Sequence, residues 1–328
     1  MHYYILRRLL LMLPTLAIIS VLVFVVQEAA PGDFVTRQLA IQQTAGGMEY
    51  TDAEIEALQK RHGLDKPAVV RYFVWIGNFL TGDFGDSYQY HRPVSELIGE
   101  RLLLSAALSY VTIMFTWAVS IPIGVWTATH KYQFSDHLFT LLGFLGMSIP
   151  NFLLALVLMY GALTLFGADL SGLFSPEYVD APWSFGKVLD LISHLWIPVL
   201  ILGTAGTAGG IRTWRALMLD TMGEPFVKTA RAKGLPEAGV VWKHAVPVAA
   251  NPFLSGIGTL LTAMLSGEII VSITMDLPTT GPLFYEALIS QDTHLAGAFL
   301  MFLSVLMLLG MLFSDIVLAL VDPRIRYS

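Results

Sequence analysis

The sequence contains no cysteine. Disulfides, thiolate nucleophiles, iron–sulfur clusters and cysteine-ligated zinc are therefore excluded, although this absence alone fixes no redox compartment. Charge is scarce too: Asp, Glu, Lys and Arg make up 13% of the 328 residues, against about 25% in a soluble globular chain. There is no Gly-x-x-x-x-Gly-Lys-Ser/Thr loop, so the chain lacks the backbone cradle in which a P-loop protein holds ATP phosphates. His-Glu-x-x-His and Gly-x-Ser-x-Gly are missing as well, and the 8 histidines are scattered instead of being spaced as a metal cage. Ser193 and His194 are neighbours in sequence, which does not make them a nucleophile and base facing each other across a site. No catalytic set is left, and the chain is not expected to be an enzyme. The basic residues are few, sit at the ends of apolar stretches and accompany no recognition module, which excludes nucleic acid as a partner.

What is present is apolar length. Hydrophobic residues make up 55% of the chain and the mean hydropathy is +0.64, a composition suited to a bilayer, where a crossing takes about 20 residues. Arg7 and Arg8 precede the first run, residues 9–26. A secretory signal has an apolar core of about 7–15 residues and a small-residue cleavage site; the Val26-Gln27-Glu28-Ala29-Ala30 stretch is a poor one, so a retained helix entering from the cytoplasm is expected. Residues 28–100 form a long polar region with an amphipathic helix over 49–61 and an aromatic-rich surface helix over 69–80. Further spans are expected at 102–129, 137–165, 194–211, 252–275 and 295–320. The expected fold is an all-α polytopic membrane protein with six transmembrane helices, a large first external loop and a cytoplasmic loop. In domain terms these are an N-terminal helix (1–27), an external subdomain (28–100), a five-helix core (101–321) containing the loop 212–247, and a tail (322–328).

Small residues mark the spans. Gly203, Gly206, Gly209 and Gly210 crowd the fourth, and Gly124 follows Pro122 in the second, both patterns that allow close helix approach. Lysine and arginine supply the orientation. Of 19, the cytoplasmic segments hold Arg7, Arg8, Lys131, Arg212, Arg215, Lys228, Arg231, Lys233, Lys243, Arg324 and Arg326, while Lys187 alone falls in a short external loop. The positive-inside rule then places both termini in the cytoplasm.

One compact polar stretch interrupts the apolar half: residues 224–247, EPFVKTARAKGLPEAGVVWKHAVP. Pro225 suits a first helical turn, Gly234 suits the left-handed residue that ends the helix, and Pro236 can open a second. Val227, Ala230, Ala232 and Leu235 are expected to form an apolar side, with Lys228, Arg231 and Lys233 on a basic one. The string Thr229-Ala230-Arg231-Ala232-Lys233-Gly234-Leu235, followed by Lys243-His244-Ala245 and Asn251-Pro252, resembles the signature loop of ABC importer permeases of the dipeptide, oligopeptide and nickel group. Gly82-Asp83-Phe84-Gly85-Asp86-Ser87, Ser148-Ile149-Pro150-Asn151-Phe152 and the ending Asp322-Pro323-Arg324-Ile325-Arg326-Tyr327 are similar to the same family.

The resemblance implies a coupling helix seated in a cleft of an ATPase subunit, with Glu224, Lys228, Ala230, Arg231, Lys233, Gly234 and Leu235 at the contact. It also implies the rest of an assembly: a second homologous permease, two cytoplasmic ATPase subunits holding ATP and Mg, and an external or periplasmic solute-binding protein. This chain itself carries no cofactor, and its compartment is a bacterial or archaeal plasma membrane. Asn151, Glu268 and Ser272 are the candidates for the translocation pathway or gate. Glu268 stands out as an ionisable group inside an expected span. The family more often has an acidic residue at the position of Ser272 and a glycine at that of Thr279, so details of an outer gate do not transfer. Dipeptides or oligopeptides are the expected cargo. The competing readings are an ion-coupled secondary transporter, which ATP-independent uptake would reveal, and a scaffold that moves no solute.

Overall fold

The computed structural model describes residues 2–29, 35, 39, 52–61, 63, 65–255 and 269–321. Every named element among them is helical. The helices are His2–Glu28, Asp52–Arg61, Ala68–Leu80, Val94–Thr129, Phe134–Ser148, Asn151–Phe166, Phe185–Met222 and Pro225–Ala232, then short segments from Glu237–Gly239 to Asn251–Ser255, and finally Ile269–Thr274, Thr280–Ile289 and Thr293–Val321. Four are long and apolar enough to cross a membrane: Ile5–Glu28, Val94–Thr129, Phe185–Met222 and Thr293–Leu318; the pair Phe134–Ser148 and Asn151–Phe166 would make a fifth if taken as one span. The expected span 252–275 falls largely on 256–268, outside the described residues. So does Glu268.

The chain divides into two compact units, one of Met1–Leu103 with Thr280–Leu312, the other of Leu104–Thr279 with Phe313–Ser328. In the first, the Ala68–Leu80 helix packs along the end of the N-terminal helix. The Ser20 and Tyr72 hydroxyls are 2.9 Å apart, Phe24 meets Tyr72 edge-on at 5.5 Å, and Arg71 pairs with Glu28. The surface helix expected from its aromatic run thus has a protein partner. Val94, Leu97, Ile98, Leu283, Leu295 and Phe299 form the apolar core of this unit.

Asp292 orders one edge of that core. It is fully buried and is the N-cap of the Thr293–Val321 helix: Oδ1 accepts from the Leu295 amide at 3.1 Å, while Oδ2 accepts from the Ser87 hydroxyl at 2.5 Å and the Gln89 amide at 3.1 Å. The same 86–94 loop sets Tyr88 against His294, with ring centroids 4.5 Å apart. Burial, reinforced by the Asp292 charge, pushes the Tyr88 phenol up to about 12, so it stays a neutral hydrogen-bonding group at physiological pH. Loss of a cap costs about 0.5–2 kcal/mol, and here two more donors lose their acceptor. Asp292→Ala is therefore expected to destabilise the protein by about 2 kcal/mol or more, read as a lower thermal midpoint, with Asp292→Asn less damaging because it keeps an acceptor oxygen.

In the second unit the helix bounds depart from the sequence reading in ways that have local causes. The fourth span was expected at 194–211, yet its helix runs Phe185–Met222. Ser184 caps it, accepting from the Lys187 amide at 3.2 Å. Lys187, expected in an external loop, is consequently inside the helix and buried. Its ammonium donates to the carbonyls of Ala181 at 2.6 Å and Val179 at 3.1 Å, and lies 4.8 Å from the centroid of the Phe174 ring. The second span begins at Val94, not 102, and at 36 residues is about 54 Å long, well beyond a hydrocarbon core of about 30 Å.

The third expected span is not one straight helix. Phe134–Ser148 and Asn151–Phe166 meet at 92°. Pro150 has no amide hydrogen to continue the ladder, and it holds Ile149 in an extended conformation (φ −91°, ψ 119°). The expected close approach of glycines is observed. A Cβ on Gly203 would lie 2.6 Å from the Phe115 ring and one on Gly210 2.7 Å from the Ser120 hydroxyl, so the Val94–Thr129 and Phe185–Met222 helices are in near-backbone contact.

Candidate functional site

The polar loop is built on the second unit as the local rules require. Pro225 occupies the first turn of the Pro225–Ala232 helix, following Glu224 at the N-cap (φ −68°, ψ 149°). Gly234 has φ +75°, the left-handed conformation expected at a helix end. Its amide donates to the Arg231 carbonyl at 2.9 Å. Pro236 caps the next segment, Glu237–Gly239. That segment runs into a π-helical stretch, Val240–Ala245, a wider winding that occurs often at functional sites, and then into Val246–Ala249.

The loop sits on an apolar floor. Val227, Ala230, Val240, Val241, Ala245 and Ala249 share one buried cluster with Val125 and Ala128 of one long helix and Trp214 and Met218 of another. Ala232 and Leu235 do not join it, contrary to the sequence reading: both are exposed. The helix ends before Leu235, and the left-handed residue turns the chain away from the floor. What the loop presents outward is therefore mixed. Phe226, Leu235, Trp242 and Val248 are exposed large hydrophobics, and Lys228, Lys233 and Lys243 stand exposed among them.

Arg231 is turned inward to the loop itself. Its guanidinium donates to both Glu237 oxygens, at 2.6 and 3.0 Å. The hydrogen bonds from Arg231 hold the Glu237 carboxyl below its ordinary value. An exposed pair like this is worth only about 0–1 kcal/mol; its effect is to tie the first helix to the second across Gly234. Since the carboxyl is depressed, this contribution is complete above the ordinary value of 4.5 and is lost only as pH falls through the lower folded value.

Beneath the loop is a contact that spacing alone did not reveal. Asp136 is buried and accepts from Arg215 at 2.7 Å (Nε to Oδ1) and 2.8 Å (Nη2 to Oδ2). The Tyr132 amide adds a third bond at 2.9 Å. Arg215 is the neighbour of Trp214, which forms part of the loop's floor. The clamp thus joins the bent helix pair to the helix that carries the loop.

The structure brings Glu224, Lys228, Arg231, Lys233, Gly234 and Leu235 onto the exposed side of one loop, whereas Ala230, expected at the same contact, is buried in its floor. The other candidates lie elsewhere. Asn151 is half-buried at the first position after the 92° bend. Ser272 is fully buried and accepts a hydrogen bond from the Thr279 hydroxyl at 2.9 Å, so the two positions that depart from the family pattern are bonded to each other. Among the described residues no three His, Cys, Asp or Glu side chains gather in a metal-like group.

Long apolar helices carrying an exposed basic and aromatic loop on a packed base define a polytopic membrane protein. Comparison with known proteins narrows the class. A family model described as "Binding-protein-dependent transport system inner membrane component" matches residues 120–327, and one described as "Binding-prot-dependent transport system membrane comp, N-term" matches residues 1–109. The chain is 34% identical over 328 residues to the oligopeptide transport system permease protein AppB of Bacillus subtilis (strain 168), covering 100% of both. It is 32% identical over 334 residues to the oligopeptide transport system permease protein OppB of Mycobacterium bovis, again covering 100% of both. It is 33% identical over 326 residues to the glutathione transport system permease protein GsiC of Salmonella paratyphi A, covering 99% of each. The chain therefore belongs to the inner-membrane components of binding-protein-dependent transport systems, the permeases of ABC importers.

Proposed function

We propose that this chain forms half of the transmembrane pathway of an ATP-driven peptide importer and that its 224–247 loop docks on an ATPase subunit. The observation that carries the reading is the loop's two-sidedness: Val227 and Ala230 are locked into the floor, while Phe226, Leu235, Trp242, Lys228 and Lys233 face outward. A second, homologous permease completes the pathway. Two cytoplasmic ATPase subunits hold ATP and Mg, and an external binding protein delivers the solute. Six spans with both termini in the cytoplasm of a bacterial or archaeal cell are the topology of this reading, supported by the lysine and arginine bias. Peptides are the favoured cargo because relatives covering the full chain are named for oligopeptides and glutathione. Asn151, Glu268 and Ser272 remain our candidates for the pathway or gate.

ATPase closure acts on the outer face of the loop and reaches the long helices through the buried cluster. Such a push changes access only if the two permease conformations contact the ATPase states differently. Gly234 is the most informative position to change. Nothing lies within 4 Å of a Cβ placed there, yet its φ is +75°, so a side chain strains the turn without a clash. In proteoliposomes holding the chain with its partner subunits and binding protein, Gly234→Asp is expected to cut solute-stimulated ATP hydrolysis and peptide uptake at least tenfold while the subunits still assemble. Equal uptake by wild type without ATP or ATPase subunits would overturn this reading in favour of an ion-coupled transporter.

A further inference from the structure

A groove outside the loop has the makings of a second binding site. It lies between the Phe134–Ser148 and Phe185–Met222 helices and encloses about 370 Å³, within the range of roughly 300–1,000 Å³ typical of small-molecule sites. The two helices run antiparallel in fixed register: Asp136 is clamped to Arg215, Gly143 faces the Ala208 carbonyl, and Gly146 faces Thr204. Because the register is antiparallel, the polar residues of both helices fall at the same end. Tyr132, His137 and Arg212 line that end, whereas Phe144 and Met147 line the other. From residue 137 to residue 147 the first helix rises about 15 Å, so the groove changes from polar to apolar over roughly half the thickness of a hydrocarbon core.

The charge at the polar end is positive. Arg215 is neutralised by Asp136, whose two oxygens are filled by Arg215 and the Tyr132 amide. Arg212, one turn away, is exposed and makes no ion pair among the described residues. Lys131 is a second cation nearby, its ammonium 4.6 Å from the centroid of the ring of Tyr132, which lines the groove. By the lysine and arginine bias this end is cytoplasmic, and basic pockets between membrane helices on that side suit anionic lipid headgroups.

We propose that the groove holds an anionic phospholipid, with its phosphate on Arg212 at the polar end and an acyl chain along Phe144 and Met147. The proposal rests on the membrane reading and on no feature of ATPase coupling, so its failure and that of the transport reading appear in different experiments. The full-length chain, purified in detergent, is titrated with phosphatidylglycerol and with phosphatidylcholine, and retained lipid is counted by native mass spectrometry. Phosphatidylglycerol is expected to bind in preference to phosphatidylcholine. Arg212→Gln is expected to weaken phosphatidylglycerol binding about fivefold, the share of one cation near a membrane surface, with phosphatidylcholine unchanged. Met147→Trp, which fills the apolar end and leaves charge alone, is expected to reduce both lipids and gives an independent test should Arg212→Gln fold poorly. Lys60→Gln, a cation paired with Glu56 far along the chain, should alter neither. The proposal fails if Arg212→Gln binds phosphatidylglycerol as wild type does, or if Lys60→Gln loses as much. Displacement of phosphatidylglycerol by millimolar inorganic phosphate would also overturn it, making the groove a free-anion site.

Discussion

Replacing Arg215 with methionine is expected to cost the protein about 3–5 kcal/mol, the range for breaking a buried ion pair by removing one partner. The cost is unequal for the two halves of the pair. The Asp136 side chain is 3% exposed and that of Arg215 27%, so a stranded carboxylate has almost no access to water, whereas a stranded guanidinium has some. Asp136→Asn leaves an acceptor for the arginine and is expected to cost less, about 1–3 kcal/mol. The charge-swapped double variant, Asp136→Arg with Arg215→Asp, should recover part of the loss only if the bidentate geometry can be rebuilt. Thermal unfolding of the full chain in lipid-supplemented detergent orders these variants. Equal midpoints for Arg215→Met and Asp136→Asn would remove the argument from asymmetric burial.

Gly124→Leu should be the most damaging single glycine replacement among the described helices. Its Cβ would lie 2.4 Å from the Trp214 Cβ and 3.0 Å from the Ile211 carbonyl. Neither neighbour is the end of a flexible side chain, so the two long helices would have to separate. Overpacking costs about 1–3 kcal/mol when side chains can adjust; with backbone in the way, loss of the folded chain from the membrane fraction is expected. Gly209→Ala is the control. Nothing lies within 4 Å of its Cβ, and exchanging a helical glycine for alanine is worth up to about 1 kcal/mol in stability. Opposite signs for Gly124→Ala and Gly209→Ala in the same assay would show that contact, not helix propensity, sets these positions. Similar small effects at both would contradict the close approach of Gly124 to Trp214.

The sequence made legible those features whose cause is local or compositional. Pro225, Gly234 and Pro236 each act through their own backbone, and the turns they dictate are present. The crowding of glycines in the fourth span signalled a close helix contact, which Phe115 and Ser120 supply. Other features depend on what lies opposite in space. Ala232 lies inside the helix but off the face that Val227 and Ala230 bury, and Leu235 lies past the helix end, so an apolar pattern alone misplaced both. Lys187 read as a loop cation because nothing nearby in sequence announces the carbonyls that receive its ammonium. Arg215 read as a cytoplasmic charge at the end of a span; only the packing of the helices makes it the partner of Asp136.

Asp136 and Arg215 are separated by 79 positions, and that interval has a temporal meaning. At synthesis rates of about 5–20 residues per second, the carboxylate is made roughly 4–16 s before its arginine. During that wait a buried position would leave the charge bare. The buried packing of the segment that begins at Phe134 is therefore expected to be completed only after the helix from Phe185 to Met222 has been made. The clamp between the bent pair and that helix can close only once the second charge has been synthesised.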